Sequence, residues 1–194
     1  RDVVDNPSDL IASTANNLKK DGWQSGQAWG YEVVLPKALN FMLADKARAM
    51  TITQWQQQGL TRADGKPFPN PTEMAYLLAP AGAEGPGFLM LQNFRVIMKY
   101  NPAEAYALAI GHFADRLRGG PAFVQPWPRQ ERVLSRAERL ELQQLLAQRG
   151  FYKGTPDGQF GGQTREALRG FQASIGAPAD GFASSDVLER LRGR

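Results

Sequence analysis

The stretch Asp157-Gly158-Gln159-Phe160-Gly161-Gly162-Gln163-Thr164-Arg165-Glu166-Ala167-Leu168-Arg169-Gly170-Phe171-Gln172 constrains the fold more than any other in this chain. Asp-Gly is a turn signal: Asp caps the local backbone, and Gly accepts a positive φ at no steric cost. The Gly-Gly pair lets backbone pass close to another group, and Thr164 stands where a helix N-cap belongs. Ala167, Leu168 and Phe171 then recur at helical spacing, so a tight turn should feed a capped amphipathic helix. The theme returns at Asp180-Gly181-Phe182, followed by Ser184-Ser185-Asp186 and the apolar Val187, Leu188 and Leu191. Upstream, Ser135-Arg136-Ala137-Glu138 is a capping box ahead of Leu140, Leu142, Leu145 and Leu146, and Gly150 ends that helix. Three short helices with a weak internal repeat make a plausible mini-domain, near the lower size limit for a self-supporting core.

The segment before it reads as a boundary. Gly119-Gly120-Pro121, Pro126-Trp127-Pro128 and the charged Arg129-Gln130-Glu131-Arg132 have the composition of a linker or extended arm. The chain therefore divides into residues 1–118, a linker at 119–133, and residues 134–194.

The first part mixes helix and strand signals. Pro7 and Ser8 introduce a helix with an apolar stripe of Leu10, Ile11, Thr14, Ala15 and Leu18, ended by Gly22. Trp23, Trp29-Gly30-Tyr31 and Val33-Val34-Leu35-Pro36 read as an aromatic-rich loop entering a short strand. Those rings either line a sugar site or staple the core. Thr53 is placed to cap a short helix over 54–58. Residues 75–79 and 88–91 read as short strands around a Gly/Pro-rich loop. Residues 93–99 read as a short helix broken by Tyr100-Asn101-Pro102, and Pro102 with Glu104 starts another. His112 lies on or beside the apolar face of that helix and reads as a packed residue rather than a catalyst.

Composition excludes several classes. The 194 residues carry a net charge of +4 with one histidine and no cysteine. A thiolate or multi-histidine metal site cannot be built, which argues against a metal-dependent peptidase, and no cofactor is implied. The basic balance suits an anionic partner, but it is spread along the chain with no dense Lys/Arg run, so nucleic acid is not expected. No apolar run approaches the roughly 20 residues of a membrane helix. The chain begins Arg1-Asp2 without Met or signal peptide, which points to processing or to a fragment.

The C-terminal motifs together resemble the three-helix peptidoglycan-binding domain of bacterial wall-lytic proteins. They comprise Leu142-Gln143 to Leu146, Gly150 to Gly154, Asp157 to Gly161, Thr164 to Leu168, Phe171-Gln172 and Asp180-Gly181. Asp9 to Leu18 with Gly22-Trp23, Trp29 to Val33, and Asn93 to Asn101 with Tyr106-Ala107 are similar to the later half of the catalytic domain of B-type lytic murein transglycosylases. The resemblance implies a mainly α fold with a small β element, an α+β lysozyme-like fragment, followed by the three-helix module. It also implies a periplasmic location and peptidoglycan glycan strands as partner. The implied chemistry cleaves the N-acetylmuramic acid to N-acetylglucosamine bond without water and leaves a 1,6-anhydro end, with one glutamate as acid and then base.

That glutamate lies upstream in the family, so no catalytic residue is assigned here. Glu32, Glu73, Glu84 and Glu104 are poor substitutes, and the missing N-terminal half of the same protein is an expected partner. Tyr100, Asn101 and Tyr106 are the candidate substrate-binding residues. The Tyr-Asn pair either contacts a sugar and its acetamido group or simply starts a helix beside a packed Tyr. Asp157, Gly158, Phe160 and Gly161 are the candidate peptidoglycan contact. Asp2 and Asp5 resemble the end of an Asp-rich calcium loop, but with its first half missing no metal site is expected. The alternative function is a non-catalytic peptidoglycan-targeting protein.

Overall fold

A computed structural model describes residues 4–128 and 132–193. They form two compact units. The first contains Arg1–Val34, Asp45–Leu78 and Gly87–Val124, and the second contains Leu35–Ala44, Ala79–Pro86 and Gln125–Arg194.

The first unit is mainly helical around a small antiparallel sheet. Helix α1 (Pro7–Lys20) is capped by Asn6, whose side chain accepts from the Ser8 and Asp9 N–H groups. None of its residues is buried, so its apolar stripe does not face a core as the spacing predicts. The sheet consists of β1 (Gly30–Val34), β2 (Met50–Thr51), β3 (Thr61–Arg62), β4 (Met74–Leu78) and β5 (Gly87–Met90), ordered β2-β4-β5-β1-β3. All pairings are antiparallel, with Leu89 opposite both Tyr31 and Leu77. The apolar β5 is buried at every position because it is the middle strand.

Helix α2 (Ile52–Gln57) is capped by Thr51, not by Thr53. Thr51 is the residue three before Gln54, and the two close a capping box. Trp55 is fully buried and its Nε1–H donates to the Ala75 carbonyl (2.9 Å).

Two further helices, α3 (Gln92–Tyr100) and α4 (Glu104–Leu117), complete this unit. Asn93 is buried at the start of α3, accepts from the Gln24 N–H and donates to the Gln24 and Gln27 carbonyls. That polar clamp holds the loop ahead of Trp29. Trp29 then packs with Tyr76, Phe88, Met90, Phe94, Ile97 and Leu108 in one core, with its Nε1–H donating to Asp115 Oδ2 (2.6 Å).

The second unit contains α5 (Arg136–Gln148), α6 (Gly162–Ser174) and α7 (Ser185–Arg192). Leu134, Leu142, Leu146, Leu168, Phe171, Leu188 and Leu191 form its core. The Ser135–Glu138 capping box is present as the sequence predicts. Helix α6 differs: its N-cap is Gly161, and Thr164 is a buried residue of the first turn. The loop residues 35–44 and 79–86 pack with these helices. Arg169 Nη2 donates to the Phe41 carbonyl (2.9 Å), and Asp180 Oδ2 accepts from the Ala83 N–H (2.8 Å).

Candidate functional site

The corner between α3 and α4 carries Tyr100 and Asn101. Helix α3 stops because Asn101 turns to an extended backbone (φ −142°, ψ 116°) ahead of Pro102, which cannot continue the ladder. Asn101 Oδ1 accepts from the Ala103 N–H (3.0 Å), which fixes the side chain and leaves its Nδ2 without an acceptor among the described residues. Tyr100 is 62% exposed and Tyr106 37% exposed, so neither ring is a buried packing residue. Tyr106, Ile110, Phe113 and Leu117 recur at helical spacing on α4 and are all exposed. A phenol that stacks and an amide that donates are the groups needed beside an acetamido sugar.

The acids considered from sequence occupy different surroundings. The Glu32 carboxylate accepts from the Val124 N–H (2.8 Å). Burial pushes the Glu73 carboxyl up from its ordinary value. Glu84 ends a single 3-10 turn, and Glu104 opens α4. Burial pushes the Tyr76 hydroxyl up to about 12, and the charge of Glu104 adds to that rise. Asp2 lies outside the described residues, and Asp5 is exposed ahead of α1. Among the described residues no three His, Cys, Asp or Glu side chains are placed to share a metal ion. Among them also, no helix is long and apolar enough to cross a membrane.

In the second unit the Asp157-Gly158 turn is organised by Gln143, a residue the sequence reading missed in this role. Gln143 is fully buried; its Oε1 accepts from the Asp157 and Gly158 N–H groups, and its Nε2 donates to Asp157 Oδ1, the Gln159 carbonyl and Thr164 Oγ1. The N–H of Gln159, and then Gln143, hold the exposed Asp157 carboxyl below its ordinary value. Gly158 has φ +73° and is buried, with the Arg136 carbonyl beside it. Phe160 is half-buried against the helical core, and Gly161 is exposed at the start of α6. Of the four candidates, then, the side chain of Asp157, part of the Phe160 ring and the Gly161 backbone reach solvent.

Helices around a five-stranded antiparallel sheet, followed by a three-helix module, define a lysozyme-like transglycosylase fold with an appended wall-binding-type domain. Residues 1–115 match the model of the Transglycosylase SLT domain family, and residues 135–191 match that of a peptidoglycan binding domain. The chain belongs to the transglycosylase SLT family. It is similar to SltB3 from Pseudomonas aeruginosa, with 46% identity and a TM-score of 0.91 over 97% of this chain and 51% of that one. That crystal structure is a complex with NAG-anhNAM-pentapeptide, and a second, matching equally well, is a complex with NAG-NAM-pentapeptide. The chain thus spans about half the length of SltB3. Over 61 residues it is also 43% identical to a spore cortex-lytic enzyme of Bacillus cereus, covering 31% of this chain and 24% of that protein.

Proposed function

We propose that this chain is part of a periplasmic lytic transglycosylase that cleaves the MurNAc–GlcNAc bond of peptidoglycan. The observation that carries this is the likeness, along 97% of the chain, to a protein crystallised with an anhydromuropeptide. In such a reaction an acid protonates the oxygen leaving with N-acetylglucosamine as its bond to C1 of the muramic residue breaks. The same group, now a base, takes the proton from the C6 hydroxyl as that oxygen closes on C1, so no water is consumed. Tyr100, Asn101 and Tyr106 hold the glycan, and the module of α5–α7 holds the wall through the solvent-facing side of its first Asp-Gly turn.

The proton-transferring glutamate is assigned to a part of the enzyme other than these 194 residues. Two observations support that assignment. Glu32 is engaged by a backbone N–H and Glu104 sits in a helix first turn, an ordinary place for an acid. The exposed stripe of Tyr106, Ile110, Phe113 and Leu117 also suits packing by further chain.

The test is incubation of the purified chain with insoluble sacculi, followed by sedimentation and mass spectrometry of the supernatant. The chain should sediment and release no anhydromuropeptides by itself. Release by the isolated chain would overturn the placement of the glutamate, and failure to sediment would remove the wall-binding role. The engagement of Glu32 by the Val124 N–H also favours a second reading, a non-catalytic targeting protein. Adding the complementary half of a family enzyme separates the two, since only the first reading predicts restored cleavage.

A further inference from the structure

The first unit contains a cavity of about 350 Å³ whose lining includes none of Tyr100, Asn101 and Tyr106. That lies within the range of small-ligand sites, about 300–1,000 Å³. Its lining includes Trp29 and Tyr31, and His112 stacked on Phe123 with ring centroids 3.8 Å apart. The charges around it are unequally committed. Asp64 is held by Arg62 through two hydrogen bonds (2.9 and 2.5 Å), Asp115 by the Trp29 indole, and Glu32 by the Val124 N–H. Arg62 is itself occupied, by Asp64 and by the Tyr31 ring 5.0 Å away. Lys66 and Arg118 also line the cavity, and among the described residues neither forms an ion pair. Each acid already accepts a hydrogen bond from protein, whereas the Lys66 and Arg118 side chains donate none to protein among the described residues.

We infer that this cavity binds the carboxylate-bearing stem peptide of a muropeptide, and so reads the peptide while the Tyr100–Asn101 corner reads the sugar. A carboxylate meets Lys66 and Arg118 through charge-assisted hydrogen bonds, and apolar peptide side chains lie against Trp29 and the His112–Phe123 stack. A neutral sugar would leave both cations unmet. The inference rests on the peptidoglycan reading above. It adds a second recognition site, so cleavage or retention should depend on whether the stem peptide is present.

The Trp29 indole N–H in the cavity wall is the reporter. NMR titration of the chain with disaccharide pentapeptide should shift it, whereas the peptide-free disaccharide with its lactyl carboxyl blocked as the methylamide should leave it in place. The double variant Lys66→Ala, Arg118→Ala should weaken the pentapeptide titration at least about tenfold, the loss expected for charge-assisted contacts. Lys66→Arg, Arg118→Lys should restore most of it, and neither double variant should alter thermal unfolding. Sacculus sedimentation is measured in parallel. A chain that sediments while Trp29 stays silent overturns this inference and leaves the peptidoglycan reading intact. A chain that neither sediments nor shifts overturns both. Equal shifts with the lactyl-blocked, peptide-free disaccharide, or unweakened binding by the alanine double variant, overturn the peptide assignment.

Discussion

Gln143 of α5 and Gln172 of α6 each hold an Asp-Gly turn, and two of their carboxamide bonds correspond. Gln172 Oε1 accepts from the Gly181 N–H as Gln143 Oε1 does from that of Gly158, and each Nε2 donates to the turn aspartate. In both turns that aspartate then accepts from the N–H of the second residue on, Gln159 or Phe182. The weak sequence repeat is therefore a repeated structural device, and one difference bears on exposure. The second aspartate also receives the Ala83 N–H, so its carboxylate is engaged at both oxygens, whereas Asp157 keeps an exposed side chain. That difference favours the first turn as the proposed wall contact.

Gln143→Leu should destabilise the three-helix module by on the order of 3 kcal/mol, because it strands the buried Gly158 N–H, the part-buried Asp157 N–H and the buried Thr164 hydroxyl. Gln143→Glu should do the same at neutral pH by placing a second carboxylate beside Asp157, and should recover partly in acid. Urea unfolding followed by amide exchange at Asp157 and Gly158 measures both. A variant as stable as the parent would show that the carboxamide is not the organiser.

The turn glycines can be separated by what lies beside them. A Cβ on Gly158 or Gly181 would come within 3.0 or 2.9 Å of the Arg136 or Arg165 carbonyl, at φ +73° and +70°. Gly176 has a similar φ of +68° with open space around it. Gly176→Ala should therefore cost about 1 kcal/mol, for the left-handed backbone alone. Gly158→Ala and Gly181→Ala should cost roughly 2–3 kcal/mol, since backbone must also move. Equal losses at the three sites in urea unfolding would refute the close-approach account.

Local signals carried the helices, and long-range packing carried what the sequence hid. The Ser135 and Ser184 caps, the α3–α4 break and the apolar β5 could be read because each depends on neighbours in the chain. The strands β2 and β3 could not, since two residues carry no period and exist only through their partners β4 and β1. Thr164 looks like a cap but gives its hydroxyl to Gln143 as an acceptor. Gly111 looks like a flaw in α4, yet the Trp29 ring lies where its Cβ would be, 2.8 Å from the nearest ring atom. The cavity beside Trp29 drew on separate segments around Tyr31, Arg62, His112 and Phe123, so no local pattern announced it.

Acid should loosen the entry to α5. Arg132, followed by Ser135, holds the Glu138 carboxyl down at about 2, against an ordinary value of 4.5. A depressed carboxyl contributes stability that is present above its unfolded value and is lost as pH falls through the folded one. Amide protection at the start of α5 should therefore fall between about pH 4.5 and about pH 2. Glu138→Gln should be weaker at neutral pH and flatter through that window, with the remaining acid sensitivity coming from the depressed Asp157. An unchanged pH profile in Glu138→Gln would show that this ion pair contributes nothing to the helix entry.

Asn101 offers a way to separate sugar binding from turn formation. Asn101→Asp keeps the oxygen that accepts from the Ala103 N–H, but removes the Nδ2 donor that has no protein partner among the described residues. Asn101→Ala removes both. Stability should be unchanged within about 0.5 kcal/mol in the aspartate variant and fall by about 1 kcal/mol in the alanine variant. Affinity for the peptide-free GlcNAc–MurNAc disaccharide, measured by calorimetry, should fall about tenfold in both, the loss expected when a bound acetamido carbonyl has no donor. Tyr100→Ala should weaken the same titration without altering thermal unfolding, because its ring is 62% exposed. Parental affinity in Asn101→Asp would make the corner a helix junction only and move the glycan site elsewhere on the first unit.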